Sequence, residues 1–141
     1  MVQQRKPGGW SELLDGVDLE QPVGMLNQLR FNAQAQYAAD SGEEPCSGAE
    51  AYARYGAATM PILQRIGAQL LLSGTAELIG PPDEWDMTFV VRYQRWAGLI
   101  DMLRSEEYQA GMHHRAAAVA DSRLHMMHFA AEGAALGERG A

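Results

Sequence analysis

A single cysteine among 141 residues leaves no partner for a disulfide within the chain. Its surroundings, Gly42-Glu43-Glu44-Pro45-Cys46-Ser47-Gly48, form a polar loop with neither a C-x-x-C redox pair nor a zinc-ligand spacing. The missing disulfide framework predicts a reducing, cytoplasmic setting. No window approaches the roughly 18 uninterrupted apolar residues of a membrane span. Arg5 and Lys6 are followed by no apolar run before Trp10-Ser11-Glu12, so neither a secretory nor a transit signal is expected. Cations are scarce: eleven Lys and Arg against eighteen Asp and Glu give a net charge of −7, and the eleven are scattered. Nucleic acid and anionic membranes need a clustered basic footprint to displace counterions, so neither is an expected partner. The chain also lacks G-x-G-x-x-G, a Walker loop, a G-x-S-x-G elbow, H-x-x-x-H and H-E-x-x-H, which disfavours dinucleotide, phosphate and helix-borne metal chemistry. No cofactor and no metal are expected.

What remains is enough for one domain, since a chain of this size buries roughly 68% of its unfolded surface. Four segments have strand character: Val23 to Phe31, Ala68 to Ala76, Trp85 to Tyr93 and Ser122 to Phe129. Each is apolar, aromatic or β-branched and bounded by Gly, Pro, Asp or Ser. A first helix opens with the capping box Ser47-Gly48-Ala49-Glu50. Its inward stripe runs Tyr52, Tyr55, Gly56, Thr59, Leu63 and Ile66, with a kink or early end expected at Pro61. A second helical region starts near Arg95 with Trp96, Leu99, Ile100 and Leu103 on one face. It restarts after Ser105 with Tyr108, Met112, Ala116 and Val119. The order predicts an α+β fold, a ferredoxin-like βαββαβ unit with a four-stranded antiparallel sheet covered by helices on one side.

Alternation sharpens this. Trp85, Met87, Phe89, Val91 and Tyr93 share one face of the third strand, and Val23, Met25, Leu29 and Phe31 one face of the first. The opposite face is mixed but retains Leu26, Val90 and Leu71. Packing it against the same face of a second copy would also protect the sheet edges, so a homodimer is predicted. Residues 1 to 21 read as an extension with a short amphipathic stretch, Trp10 to Leu14, residues 22 to 129 as the domain, and residues 130 to 141 as a frayed tail.

Chemistry-bearing residues concentrate at His113-His114-Arg115 and, five residues on, Asp121-Ser122-Arg123. Helical spacing puts Arg115 on the buried stripe with Tyr108 and Met112. A guanidinium there needs an anion, either Asp121 or a bound carboxylate. His113 and His114 flank the stripe, so at most one reaches a pocket, where it would transfer protons near neutrality. Their divergence of about 100° is unsuited to chelating one metal. Asn27 interrupts an apolar strand face and needs partners, and Tyr55 lies on the inward stripe. Arg92 and Arg30 sit on the mixed face, lining a dimer lumen or meeting solvent.

The phrases Met25-Leu26-Asn27-Gln28-Leu29-Arg30-Phe31, Tyr52-Ala53-Arg54-Tyr55-Gly56, Leu78-Ile79-Gly80, Trp85-Asp86, Arg92-Tyr93, Tyr108 and His113-His114-Arg115 through Asp121-Ser122-Arg123-Leu124, in this order and spacing, resemble the bacterial family grouped as domain of unknown function 1330. The resemblance implies a ferredoxin-like fold of the dimeric α/β-barrel kind. It implies no single function. Two readings follow. In the first, a homodimer binds a small organic acid, a carboxylate or a phenolic metabolite, in one pocket per subunit. Arg115, Arg92, His113, Asp121 and Arg123 are then the ligand-binding candidates, while Asn27 and Tyr55 orient polar atoms. His114 serves cofactor-independent proton transfer or oxygenation. In the second, a non-catalytic dimeric module, the same polar residues are structural ties.

Overall fold

The computed structural model describes residues 14–74, 79–82 and 85–137. Strand β1 (Val23–Phe31) leads through a long loop into α1 (Gly48–Arg65), followed by β2 (Gln69–Gly74), β3 (Met87–Tyr93), α2 (Trp96–Arg104), α3 (Glu106–Ala118) and β4 (Val119–Met127). The sheet is antiparallel throughout in the order β2-β3-β1-β4. This is the ferredoxin-like arrangement that the order of elements predicts, with the second helical segment broken in two.

Pairing of Met25 with Val91 and with Met126, and of Asn27 with Phe89 and with Leu124, fixes one face. Side chains of strand residues two apart share a face, so Val23, Met25, Val91, Tyr93 and Met126 line up together. They meet Ile62 of α1, Trp96, Leu99 and Met102 of α2, and Tyr108 of α3 in one core. Leu14 and Val17 also pack against it, and Leu19 and Gln21 accept backbone hydrogen bonds from Ala97 and Trp96. Trp10 to Leu13 of the expected amphipathic stretch lie outside the described residues, as do residues 138–141 of the tail. Ala130 to Gly137 are exposed and form neither helix nor strand.

The Ser47 hydroxyl accepts from the Glu50 amide at 3.0 Å, capping α1 as expected. The helix then continues through Pro61 to Arg65, so the early end does not occur. Ser105 serves two helix ends: its hydroxyl donates to Met102 O at 2.7 Å and accepts from Tyr108 N at 3.2 Å. That pair of hydrogen bonds ends one helix and caps the next, which breaks the second helical region there.

Several boundaries differ from the sequence reading. β4 starts at Val119 and stops at Met127, instead of running from Ser122 to Phe129. Val119 adopts an extended backbone directly after Ala118, and the Ala118 and Ala117 carbonyls are claimed by Asn32 and Gln36 amides, so α3 ends with no loop. Ala116 is exposed while Ala117 and Ala118 are buried, because α3 turns its small side toward α1. A Cβ on Gly111 would lie 3.2 Å from Ala58 Cβ. β2 ends at Gly74 and is exposed along its length. β3 begins at Met87, leaving Trp85 outside the strand with the Arg123 guanidinium 5.5 Å from its ring centroid.

Candidate functional site

Between the helix-facing side of the sheet and the helices lies a cavity of about 1170 Å³, walled mainly by apolar side chains that include Met25, Phe89, Leu99 and Leu103. Polar groups reach it from four elements, among them Asn27 from β1, Tyr52 and Tyr55 from α1, Tyr108 and Arg115 from α3, and Ser122 from β4. A mostly apolar chamber with a few converging polar atoms is the usual form of a small-molecule site.

Arg115 is half-buried and, among the described residues, its guanidinium has no ion pair or hydrogen bond. The expected tie to Asp121 is not made. Asp121 lies across the ladder from Arg30, and its carboxylate is 3.7 Å from that guanidinium. Strand parity explains this, because Asp121, like Arg123, belongs to the face opposite Ser122. Asn27 is buried, 7% exposed, and its amide donates to Met25 O at 3.1 Å. Its carbonyl oxygen has no partner among the described residues. The Tyr52 hydroxyl is likewise without one, whereas the Tyr55 and Tyr108 hydroxyls share a hydrogen bond of 2.8 Å. Ring contacts run from Phe31 through Tyr52 and Tyr55 to Tyr108, with centroids 5.3, 5.2 and 6.0 Å apart. Burial pushes the Tyr52 and Tyr108 hydroxyls well above the ordinary phenol range, and the nearby Arg115 charge offsets only part of that. Both therefore stay neutral donors at physiological pH.

The other candidates are elsewhere. Arg92 lies on the opposite sheet face over the Phe129 ring, 4.7 Å from its centroid, with a buried Nε that has no hydrogen-bond partner among the described residues. Arg123 sits against Trp85. His113 and His114 do not reach the cavity. The loop between β1 and α1 folds over α3, tied by Ala35 N to Cys46 O and Gln36 N to Ala117 O, and delivers Tyr37 and Glu43 to the two imidazoles. Tyr37 Oη and His114 Nδ1 are 2.7 Å apart. His113 Nε2 lies 3.0 Å from Glu43 Oε1, and His114 Nε2 4.0 Å from the same oxygen. Arg54 donates to Tyr37 Oη at 3.3 Å and to Glu44 O at 3.1 Å. Burial, and then the neighbouring His113, hold His114 below the usual imidazole range, while the His113 hydrogen bond lowers Glu43. The two rings lie 4.0 Å apart, tilted by 36°, so the divergence expected from helical spacing is overcome by side-chain rotation.

Glu43 and Tyr37 have no periodicity to mark them, since both are on an irregular loop. Ser122 and Tyr108 were visible as strand and helix residues but not as cavity donors.

The model of the family described as "Domain of unknown function (DUF1330)" matches residues 46–128. Among solved structures, methylated RPA0582 protein aligns at 34% identity with a TM-score of 0.79, covering 93% of this chain and 96% of that one. A second structure, of the RPA0582 protein of unknown function from Rhodopseudomonas palustris, aligns at 34% identity and a TM-score of 0.77, covering 91% and 96%. A dimeric protein of unknown function with a ferredoxin-like fold from Bacteroides fragilis aligns at 10% identity and a TM-score of 0.48, covering 77% and 96%. No functionally curated protein matches the chain.

Proposed function

We propose that this chain, which belongs to the DUF1330 family, binds a small organic acid with an aromatic or alicyclic body in the cavity between sheet and helices. The observation that carries this reading is the half-buried Arg115, whose guanidinium borders the cavity without a counter-ion among the described residues. A cation in that setting is stabilised by an incoming carboxylate through short, charge-assisted hydrogen bonds. Tyr52 Oη and Asn27 Oδ1, also unpartnered among the described residues, supply a donor and an acceptor for the remaining polar atoms of the ligand. The apolar wall and the tyrosine edges accommodate its body.

The competing reading, a purely structural module, expects Asn27 and Arg115 to be satisfied by protein groups, and the geometry favours the ligand instead. Binding is better supported than proton transfer or oxygenation, because His114, the base assigned to either reaction, faces Tyr37 and Glu43 outside the cavity.

We also assign the open sheet face to a second copy of the chain. Leu26, Val90, Met127 and Phe129 lie on or over it, apolar surface that a facing subunit would cover.

The test is thermal unfolding and calorimetric titration with benzoate, phenylacetate, cyclohexanecarboxylate and phenol. At a hundredfold excess over Kd, a ligand stabilises the folded state by about 2.7 kcal/mol, a shift of several degrees for a domain of this size. A carboxylate-dependent shift lost in Arg115→Ala supports the reading. Absence of any shift, or one that Arg115→Ala retains, overturns it. Sedimentation of wild type and Val90→Asp reports the dimer: a monomeric wild type removes that assignment.

A further inference from the structure

We propose that Glu43, His113 and His114 form a binding site for a late first-row divalent cation such as Zn²⁺ on the loop-covered side of α3, separate from the cavity. One donor atom from each of the three residues lies within 4.8 Å of the others. A tetrahedral ion with ligands at about 2.0–2.1 Å holds its donors roughly 3.3 Å apart. Two of the edges, 3.0 Å from His113 Nε2 to Glu43 Oε1 and 4.0 Å from His114 Nε2 to the same oxygen, bracket that value. All three donor atoms lie within 4.8 Å of one another, so closing to that spacing takes shifts of no more than roughly 1.5 Å.

The surroundings favour this donor set. Tyr37 Oη stands 2.7 Å from His114 Nδ1. When it accepts the Nδ1 proton, the lone pair is left on Nε2, toward Glu43, which is the way outer hydrogen bonds orient metal-ligating imidazoles. The Tyr37 ring meets the His114 ring edge-on at 5.7 Å and so limits its swing. Arg54 addresses the other carboxylate oxygen: Arg54 Nη1 lies 3.7 Å from Glu43 Oε2, leaving Oε1 to the ion. Two imidazoles and one carboxylate suit Zn²⁺ and its late first-row neighbours better than Mg²⁺ or Ca²⁺, which prefer all-oxygen shells. Three protein ligands leave a fourth position for water or an external anion. His113 is the most open of the three, 47% exposed at its side chain, which gives the ion a way in.

The experiment is calorimetric titration of untagged, chelator-treated protein with Zn²⁺, beside Glu43→Gln, His113→Ala, Tyr37→Phe and the control His128→Ala, with Co²⁺ as a spectroscopic probe. Expected are one ion per chain, a visible Co²⁺ absorption, and an affinity loss greater than about tenfold in Glu43→Gln and His113→Ala. Tyr37→Phe should lose about tenfold, as an outer-shell partner does, and His128→Ala should match wild type. Circular dichroism and melting of each variant show that it is folded. No stoichiometric binding by the wild type, or equal affinity in folded Glu43→Gln and His113→Ala, overturns the proposal.

Discussion

Asp121 faces Arg30 across the β1–β4 ladder, with 3.7 Å between carboxylate and guanidinium, and this pairing leaves Arg115 of α3 without an acid among the described residues. Both residues of the pair are more than 40% exposed at their side chains, so it contributes little to stability. Its effect is on the cavity: the anion that sequence proximity offers to Arg115 points to the other side of the sheet.

Arg115→Met should leave the free protein as stable as wild type or slightly more so, since it removes a half-buried charge and keeps the aliphatic packing. The same change should weaken carboxylate binding by at least tenfold, because a hydrogen bond to a charged group contributes about 1.5–3 kcal/mol. Melting with and without benzoate separates the two effects. A large drop in the melting point of the free protein would argue that Arg115 is a structural tie.

The Tyr55–Tyr108 hydrogen bond joins α1 to α3. Tyr55→Phe and Tyr108→Phe should each cost about 1 kcal/mol, and the double variant less than their sum, with a coupling of about 0.5–1.5 kcal/mol. Urea unfolding of the four proteins in the cycle measures it.

Gly48 opens α1 against the Asn32 and Ala118 carbonyls, and an added Cβ would collide with backbone on both sides. Backbone cannot step aside as a flexible side chain can, so Gly48→Ala should destabilise by about 3 kcal/mol, at the upper end of overpacking costs. Gly111→Ala should be milder, since it meets only the Ala58 methyl at 3.2 Å.

Pro61 lies inside α1, where its ring costs a helix roughly 3 kcal/mol relative to alanine. Part of that is offset by its restriction of the unfolded chain. Pro61→Ala should raise stability by about 1–2 kcal/mol, read as a shift in the denaturant midpoint at unchanged slope.

Glu107 is held below the ordinary carboxylate range by its hydrogen bond and ion pair with Arg65. A lowered folded-state value means that the stabilisation is present above the unfolded value near 4.5 and is lost as pH falls through the lowered one. Arg65→Met should therefore reduce the melting difference between pH 6 and pH 3.5, a range chosen to lie about the carboxylate transition. The effect is small because both side chains are exposed.

The β1 boundaries, the Ser47 cap, the restart of the helix after Ser105 and the burial of Tyr108 were legible because alternation and capping chemistry act over a few residues. The α3–β4 boundary was not: Val119 fits a helical stripe as well as a strand, and only the claims of Asn32 and Gln36 on the last helical carbonyls decide it. For the site, Asn27, Tyr55 and Arg115 were legible as polar residues on apolar faces. The fate of Asp121 depends on strand register, and that of His114 on the course of the β1–α1 loop. Neither leaves a periodic trace.

The central position of β1 has a consequence for assembly in time. Its partners are β3 on one side and the last strand on the other, and Gly24 pairs with Met127, so the sheet closes by joining nearly opposite ends of the domain. Such distant pairings cost loop entropy before they yield contacts, which slows folding. A chain emerging from the ribosome can make α1, β2 and β3 early, but β1 stays half-paired until β4 is released. Ser122 reaches the cavity with that strand, so the chamber acquires this wall only once β4 has paired with β1.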